Sequence, residues 1–215
     1  MPRISTTGKL YGPTGGLNRV AFNVATGGTM TTFTKNVTET WQRHVFLTNA
    51  NLVVTKAAQP FAVTVVGAGG GGGAPADGFT ASAGGTGGFY SADATLSVAT
   101  YAATIGTGGT SGGAVQIGGG AGSRGGVGGN TSLTGVYTAG GGYGGGGGPT
   151  NGSNTAVGTG SPSPAANGGV TTRDNVAHGL SATIGNGGSA GVGPYPGTSA
   201  TAGTGGAVVV EYRIA

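Results

Sequence analysis

Three glycines that follow an apolar run have the spacing of a phosphate-binding turn. Gly67, Gly69 and Gly72 match G-x-G-x-x-G. Asp93 lies 21 positions after Gly72, near the place of a ribose-binding carboxylate. In a dinucleotide fold such a turn opens a helix that holds the pyrophosphate at its N-terminus. Residues 73–90, GAPADGFTASAGGTGGFY, contain six glycines and one proline. In a helix interior each glycine costs about 1 kcal/mol and a proline about 3 kcal/mol relative to alanine, so no helix is expected there. We therefore predict no nucleotide cofactor.

Few residues of this chain are suited to acid–base catalysis. It has two histidines, five acids and no cysteine. A catalytic triad would draw on His178 and Asp174, but a polar loop tip explains both residues more simply. Paired carboxylates for glycan hydrolysis depend on separation in space, and five acids offer few combinations. Asp77 occurs once, in PADGF, without the repeats that calcium-binding nonapeptides require. We predict a protein that is not an enzyme and that binds no metal.

The charge pattern favours neither nucleic acid nor membrane. Nine basic and five acidic residues give a net charge of +4 over 215 residues. The basic residues are scattered, and the one short concentration, 35–43, includes Glu39. The apolar runs are far shorter than a membrane span, and the first residues lack the apolar core of a secretory leader. We predict no nucleic-acid partner and no membrane insertion.

Any functional group must be positioned by the secondary structure around it, and the composition that determines this structure changes at Gly67. Before it, β-branched and aromatic runs alternate with turn residues, and after it about one residue in three is glycine. In 40–48, Trp41, Val45 and Leu47 share a face opposite Gln42 and His44, which is typical of a half-buried strand. No segment has a helical period over ten positions. The predicted strands are 19–24, 31–35, 40–48, 51–56, 61–66, 94–98, 101–105, 114–117, 131–137, 180–184 and 207–214.

Glycines recur every third residue in several places after Gly67. The sets lie at 106–112, 119–128 and 185–191 and resume at 197–206. Three residues per turn is the period of polyproline II, and without a Cβ such helices can bond laterally through their backbones. Collagen is excluded because the phase slips and proline is sparse. We predict an all-β fold, a short-stranded β sandwich-like scaffold with packed polyglycine-II segments and essentially no α-helix.

Four stretches in order resemble the glycine-rich domain of bacteriophage tail proteins. They are WQRHVFLTNANLVVTKAAQPFAVTVVGAGGGGG (41–73), YAATIGTGG (101–109), TAGGGYGGGGG (138–148) and the closing GGAVVVEYRI. The glycine-rich segments are also similar in style to those of the polyglycine-II adhesins at phage tail-fibre tips. The resemblance implies a structural virion protein, a minor tail or tail-tip component that contributes to host attachment. Its partners would be other tail proteins and a host-envelope glycan or protein. It covers residues 41–215, leaving 1–40 as an N-terminal docking or oligomerisation segment.

The candidate contact surface consists of polar and aromatic residues amid glycine. Tyr143 and Tyr195 stand among glycines that cannot bury a ring, and tyrosine suits surface recognition. The stretch 149–183 is the longest irregular insertion, and long loops are often functional. Arg173, Asp174 and His178 supply most of its polarity. We predict that these five residues contribute to a contact surface.

Several strands carry apolar residues on both faces, which predicts a covering layer from another subunit. Phe61, Val63 and Val65 oppose Ala62 and Val66, and the chain has no helix to cover either face. We therefore predict a homo-oligomer, with a trimer by analogy to fibre proteins. Two alternatives to an adhesin stay open at this point. One is an assembly or capsid-decoration module without a host ligand, and the other is a bacterial glycine-rich surface protein.

Overall fold

The computed structural model of the protein describes residues 21–76, 80–113, 122–148, 174–192 and 199–215. Within these ranges the chain forms ten strands and no helix, so the predicted all-β fold is confirmed. The described residues accordingly include no helix with the length and apolarity to cross a membrane. The strands are β1 (Val24–Thr26), β2 (Thr29–Lys35), β3 (Glu39–Phe46), β4 (Ala50–Lys56), β5 (Phe61–Val66), β6 (Phe89–Ala94), β7 (Ala99–Thr104), β8 (Thr131–Leu133), β9 (Tyr137–Ala139) and β10 (Ala207–Arg213).

The described strands make two antiparallel five-stranded sheets that pack face to face. Sheet I has the order β1-β4-β7-β8-β9, and sheet II has the order β2-β3-β10-β5-β6. Leu52 and Val54 of sheet I share one buried cluster with Val63, Val208 and Tyr212 of sheet II. Because the cluster draws on both inner faces, the two sheets form a sandwich around an apolar core.

Most strand predictions match the structure, and four differ from it. The predicted strand 19–24 is wrong within the described residues, because it shares only Val24 with β1. β5 has the predicted bounds 61–66, whereas the predicted strand 131–137 is a hairpin of β8 and β9. The predicted strand 94–98 is wrong, because β6 ends at Ala94. The predicted strand 180–184 is also wrong, because this segment forms turns. The predicted strand 114–117 lies outside the described residues.

In β3 the face that carries Gln42, His44 and Phe46 is the one that points into the core. His44 and Phe46 are fully buried, whereas Trp41 and Val45 lie on the outer face and are only half-buried. His44 is accepted in the core because both ring nitrogens have partners, the Gly27 carbonyl at 2.7 Å and the Tyr212 hydroxyl at 3.1 Å.

β5 continues directly into a fully buried segment of glycine and alanine, 67–74. Every N–H of this segment donates to a residue outside it, in one of three other segments. The N–H groups of Gly67, Gly70 and Gly73 donate to 82–88, those of residues 68, 71 and 74 to 123–129, and those of residues 69 and 72 to 201–204. Partners therefore repeat every third residue, and none lies within the segment. This is the hydrogen-bond pattern of polyglycine II, which was predicted from the spacing.

Six outer segments surround this central one and bond to each other in a closed ring. The carbonyls of the central segment accept N–H groups from 109–112, 142–148 and 188–191, which run parallel to it. The other three outer segments run antiparallel and alternate with these around the ring. We call the assembly the glycine lattice. Its segments are 67–74, 82–88, 106–112, 122–129, 140–148, 185–191 and 201–206.

Position in the ring explains where an outer segment excludes a side chain. A Cβ on Gly125 would lie 2.1 Å from the Gly71 carbonyl oxygen, and a Cβ on Gly126 would lie 2.7 Å from the Thr110 hydroxyl. Between Gly125 and Gly129 two of every three positions thus face neighbouring atoms and exclude a Cβ, while the third, Val127, faces outward. In the central segment all positions are enclosed, and only glycine or alanine occurs there.

Residues from the predicted docking segment 1–40 take part in both sheets. β1 pairs with β4 in sheet I, and β2 pairs with β3 in sheet II, so the boundary at residue 40 falls inside β3. Residues 1–20 lie outside the described residues. Whether 1–40 docks or oligomerises stays a prediction.

The sandwich and the lattice give the molecule two unlike ends. At the free end of the sandwich, Asn23 accepts the N–H groups of Ala58 and Gln59 at 2.7 and 2.9 Å, so residues 1–20 join the domain there. At the far end of the lattice, Gly112 and Gly148 donate to the last central carbonyls, those of Gly72 and Ala74. The connections 77–79, 114–121, 149–173 and 193–198, which lie outside the described residues, all begin at this lattice end.

Candidate functional site

The structure places the predicted contact residues on different elements. Tyr143 lies on the outer lattice segment 140–148, and Asp174 and His178 lie in a turn segment against sheet II. Arg173 and Tyr195 lie outside the described residues. The structure therefore does not bring the five residues together into one described site, and their role in contacts stays a prediction.

Tyr143 is the single side chain on an all-glycine stretch, and its backbone is firmly held. Its carbonyl accepts the Gly85 N–H at 2.8 Å, and the Gly70 position lies directly against the same carbonyl. The residue is 52% exposed although the glycines on both sides of it are buried. A ring displayed from a rigid backbone loses little conformational entropy on contact, which suits recognition of an apolar or hydroxyl-bearing partner.

The turn segment 174–184 packs onto the outer face of sheet II. Leu180 and Ile184 cover Val45 and Val209 in a second buried cluster. Arg43 donates to the Ala177 carbonyl at 3.1 Å and forms an ion pair with Glu211. The apolar outer face near the lattice is thus covered by the chain itself, which removes one reason for expecting a second subunit there.

His178 and Asp174 do not form a catalytic pair in this arrangement. The Asp174 carboxylate accepts the Ala177 N–H at 3.0 Å, as a cap of the turn. The His178 Nδ1 lies 3.3 Å from the Thr64 hydroxyl, which in turn lies 2.8 Å from the Ser91 hydroxyl. These contacts fasten the turn segment to β5 and β6. Within the described ranges, no group of three or more His, Asp or Glu side chains is placed to hold a metal ion.

Burial lowers the pKa of both histidines. His44 loses solvation in the core, and its bond to Gly27 offsets only part of this effect on the pKa. For His178, desolvation is the largest cause; Glu211 and Asp174 raise the pKa, and Arg43 and Lys35 lower it. Both side chains are therefore held mainly as neutral imidazoles near neutral pH.

We expect the protein to lose stability as pH falls below about 6.5, the ordinary histidine pKa. Because both pKa values are lower in the folded state, the unfolded chain binds more protons in this window and acid favours unfolding. The loss levels off below the folded-state pKa values. Thermal melts between pH 7.5 and 5 measure it, and His178→Gln should keep only the part due to His44. A melting temperature that is flat or rises on acidification would contradict the assignment.

Sequence interpretation missed an aromatic and charged row on the uncovered half of the same outer face. Phe33 of β2, Trp41 of β3 and Arg213 of β10 are directly paired across the sheet. The Lys35 ammonium lies 4.4 Å from the Trp41 ring centroid, and the Arg213 guanidinium bonds to Glu39 at 2.9 Å. Phe33, Trp41 and Arg213 are half-buried, Arg213 is paired with Glu39, and Lys35 lies over the Trp41 ring, so the row forms an amphipathic surface. The alternation in β3 indicated that its odd-numbered residues share one face. It could not show which strands lie beside β3 and complete the row.

The tip of the β2–β3 hairpin presents a strained apolar residue at the free end of the sandwich. Val37 has a φ of 62° and is 93% exposed. A β-branched residue is rarely found in this left-handed region, and strain of this kind concentrates at functional positions. Val37 thus adds an apolar contact point at the same end as the junction with residues 1–20.

Compared with known proteins, the sequence matches no protein-family model and no curated protein at a significant level.

Proposed function

We propose that this chain is a structural protein of a tailed-bacteriophage virion, located at the tail tip or fibre, that contributes to attachment to the host surface. The observation that carries the proposal is the glycine lattice fused to a β sandwich. The lattice is held by backbone hydrogen bonds between seven segments with few apolar side chains, and we expect such a network to be stiff. Stiffness and the display of side chains from a fixed backbone are useful to an attachment protein.

The two unlike ends support a division of roles. The free end of the sandwich carries Val37 and the junction with residues 1–20, which suits docking to neighbouring virion proteins. The lattice end is where four connecting segments begin, including 149–173, the longest. Segments that connect the elements of a rigid scaffold commonly carry binding functions. We assign host-envelope glycan or protein contacts to that end and to Tyr143.

The test is made on virions of the phage that encodes the chain, with the protein detected by mass spectrometry of purified particles. Tyr143→Ala, and separately the replacement of 149–173 by a Gly/Ser linker of equal length, should leave particle yield unchanged. We expect each change to slow adsorption to host cells by about tenfold or more, which corresponds to about 1.4 kcal/mol in the activation free energy. Val53→Thr, on the exposed face of sheet I, is the matched control and should change neither property.

Two outcomes would contradict the proposal. If the variants lose particle assembly and any assembled particles adsorb normally, the chain is an assembly or decoration module. If purified virions lack the chain, it has no structural role in the particle.

A further inference from the structure

β2 is an open sheet edge that lacks the usual protection against pairing. It is the terminal strand of sheet II and has seven residues, TMTTFTK, all of them exposed except the half-buried Phe33. Proteins normally shield such edges with short strands, bulges, prolines or inward-pointing charges. β2 has none of these along Thr29–Thr34, and its only charge is Lys35 at one end.

The other sheet edges in the described part of the chain do carry such protection. β1 and β9 have three residues each, and the register of β1 shifts between Val24 and Ala25. β6 carries the exposed Asp93 inside the strand, and the Asp93 carbonyl already accepts the Tyr137 hydroxyl at 2.8 Å. The contrast singles out β2 as the edge on which another strand can add.

We propose that β2 pairs with β2 of a second copy of this chain, antiparallel and about a two-fold axis near Thr32. An antiparallel register centred on Thr32 opposes all seven residues of one strand with all seven of the other. It also places the two Lys35 side chains at opposite ends of the pair, about 20 Å apart. A parallel pairing would instead set the two ammonium groups side by side, at a cost in free energy.

The side chains of β2 suit this pairing on both faces. On the inner face, Met30 is 51% exposed and would lie opposite Thr34 of the partner strand. On the outer face, Phe33 would lie opposite Thr31 and diagonal to its own copy, within reach of a second ring. The pair joins both copies of sheet II into one ten-stranded sheet, with the aromatic row of each copy meeting at the axis. This inference does not rest on the proposed function, since it concerns the free protein.

The experiment is native mass measurement and analytical ultracentrifugation of the full chain at tens of micromolar. We expect a mass of two 20.1 kDa chains. Thr32→Lys sets like charges opposite each other at the axis and should yield single chains, and Thr32→Glu should do the same. Mixing these two variants should restore a two-chain species through opposite charges. Thr138→Lys, an equally exposed change on the edge strand β9, is the matched control and should leave the two-chain mass unchanged.

Thermal melts check that each variant is folded. We expect all of them to fold, because Thr32 is exposed. The proposal is overturned by a full chain that stays single at every concentration. It is also overturned by a three-chain mass, or by Thr32→Lys protein that keeps the two-chain mass.

Discussion

Gly125→Ala is expected to abolish soluble, folded protein. The added Cβ would lie 2.1 Å from the carbonyl oxygen of Gly71 in the central lattice segment. That oxygen cannot move away freely, because it accepts the Gly145 N–H at 2.8 Å. Real Cβ atoms do not approach backbone oxygens so closely, so the two segments must separate and lose their shared hydrogen bonds. We expect a destabilisation of more than about 4 kcal/mol, measured as loss of soluble yield or of a cooperative melt.

Gly205→Ala is the matched control for this experiment. It makes the same chemical change in another outer lattice segment, but the nearest atom to the new Cβ, the Gly106 carbonyl oxygen, is 3.5 Å away. This is ordinary van der Waals contact, and alanine restricts the unfolded chain, so stability should stay equal or rise by up to about 1 kcal/mol. A Gly125→Ala protein that melts like the wild type would show that the lattice is not packed through these backbone contacts.

Tyr212→Phe is expected to destabilise the sandwich by about 2–4 kcal/mol, although it removes only one oxygen. Tyr212 is fully buried, and its hydroxyl accepts the Ala25 N–H at 2.9 Å and lies 3.1 Å from the His44 Nε2. The Gly27 carbonyl can only accept, so the His44 Nδ1 carries the proton and Nε2 needs a donor. Phenylalanine fills the same space but leaves these buried groups unsatisfied.

Tyr101→Phe makes the same change at a half-exposed ring and serves as the control. Its hydroxyl accepts the Ser97 N–H at 2.9 Å in an exposed setting, where water can take its place. We expect less than about 1 kcal/mol from this variant in chemical denaturation. Equal effects from the two variants would mean that the buried hydroxyl network does not link β1 to β3 and β10.

The sequence alone was sufficient for the fold class and for the conformation of the glycine segments. The missing helical period and the glycine spacing depend only on local sterics, which act between near neighbours along the chain. The bounds of β5 were equally clear, because Phe61–Val66 is a β-branched and aromatic run that glycine ends at once. These features do not require knowledge of which segments meet.

The candidate site was much less predictable. Tyr143 was identified because flanking glycines cannot cover a ring, which is a local argument, and it is exposed. The aromatic row of Phe33, Trp41 and Arg213 was not found, because it joins strands that are distant in sequence and become neighbours only through sheet order. The segment 180–184 was mistaken for a strand for a related reason. Its apolar residues serve to cover Val209 rather than to join a sheet.

By itself, then, the sequence determined that glycine would place backbones in contact and that apolar alternation would make strands. Only the tertiary structure decided the partners: that 67–74 lies at the centre of six segments, that His44 faces inward, and that the chain covers its own outer face with Leu180 and Ile184. The physical reason is that glycine has no side chain to specify a neighbour. Register in the lattice is therefore set by the strands that continue into it, such as β5, and by the positions that exclude a Cβ.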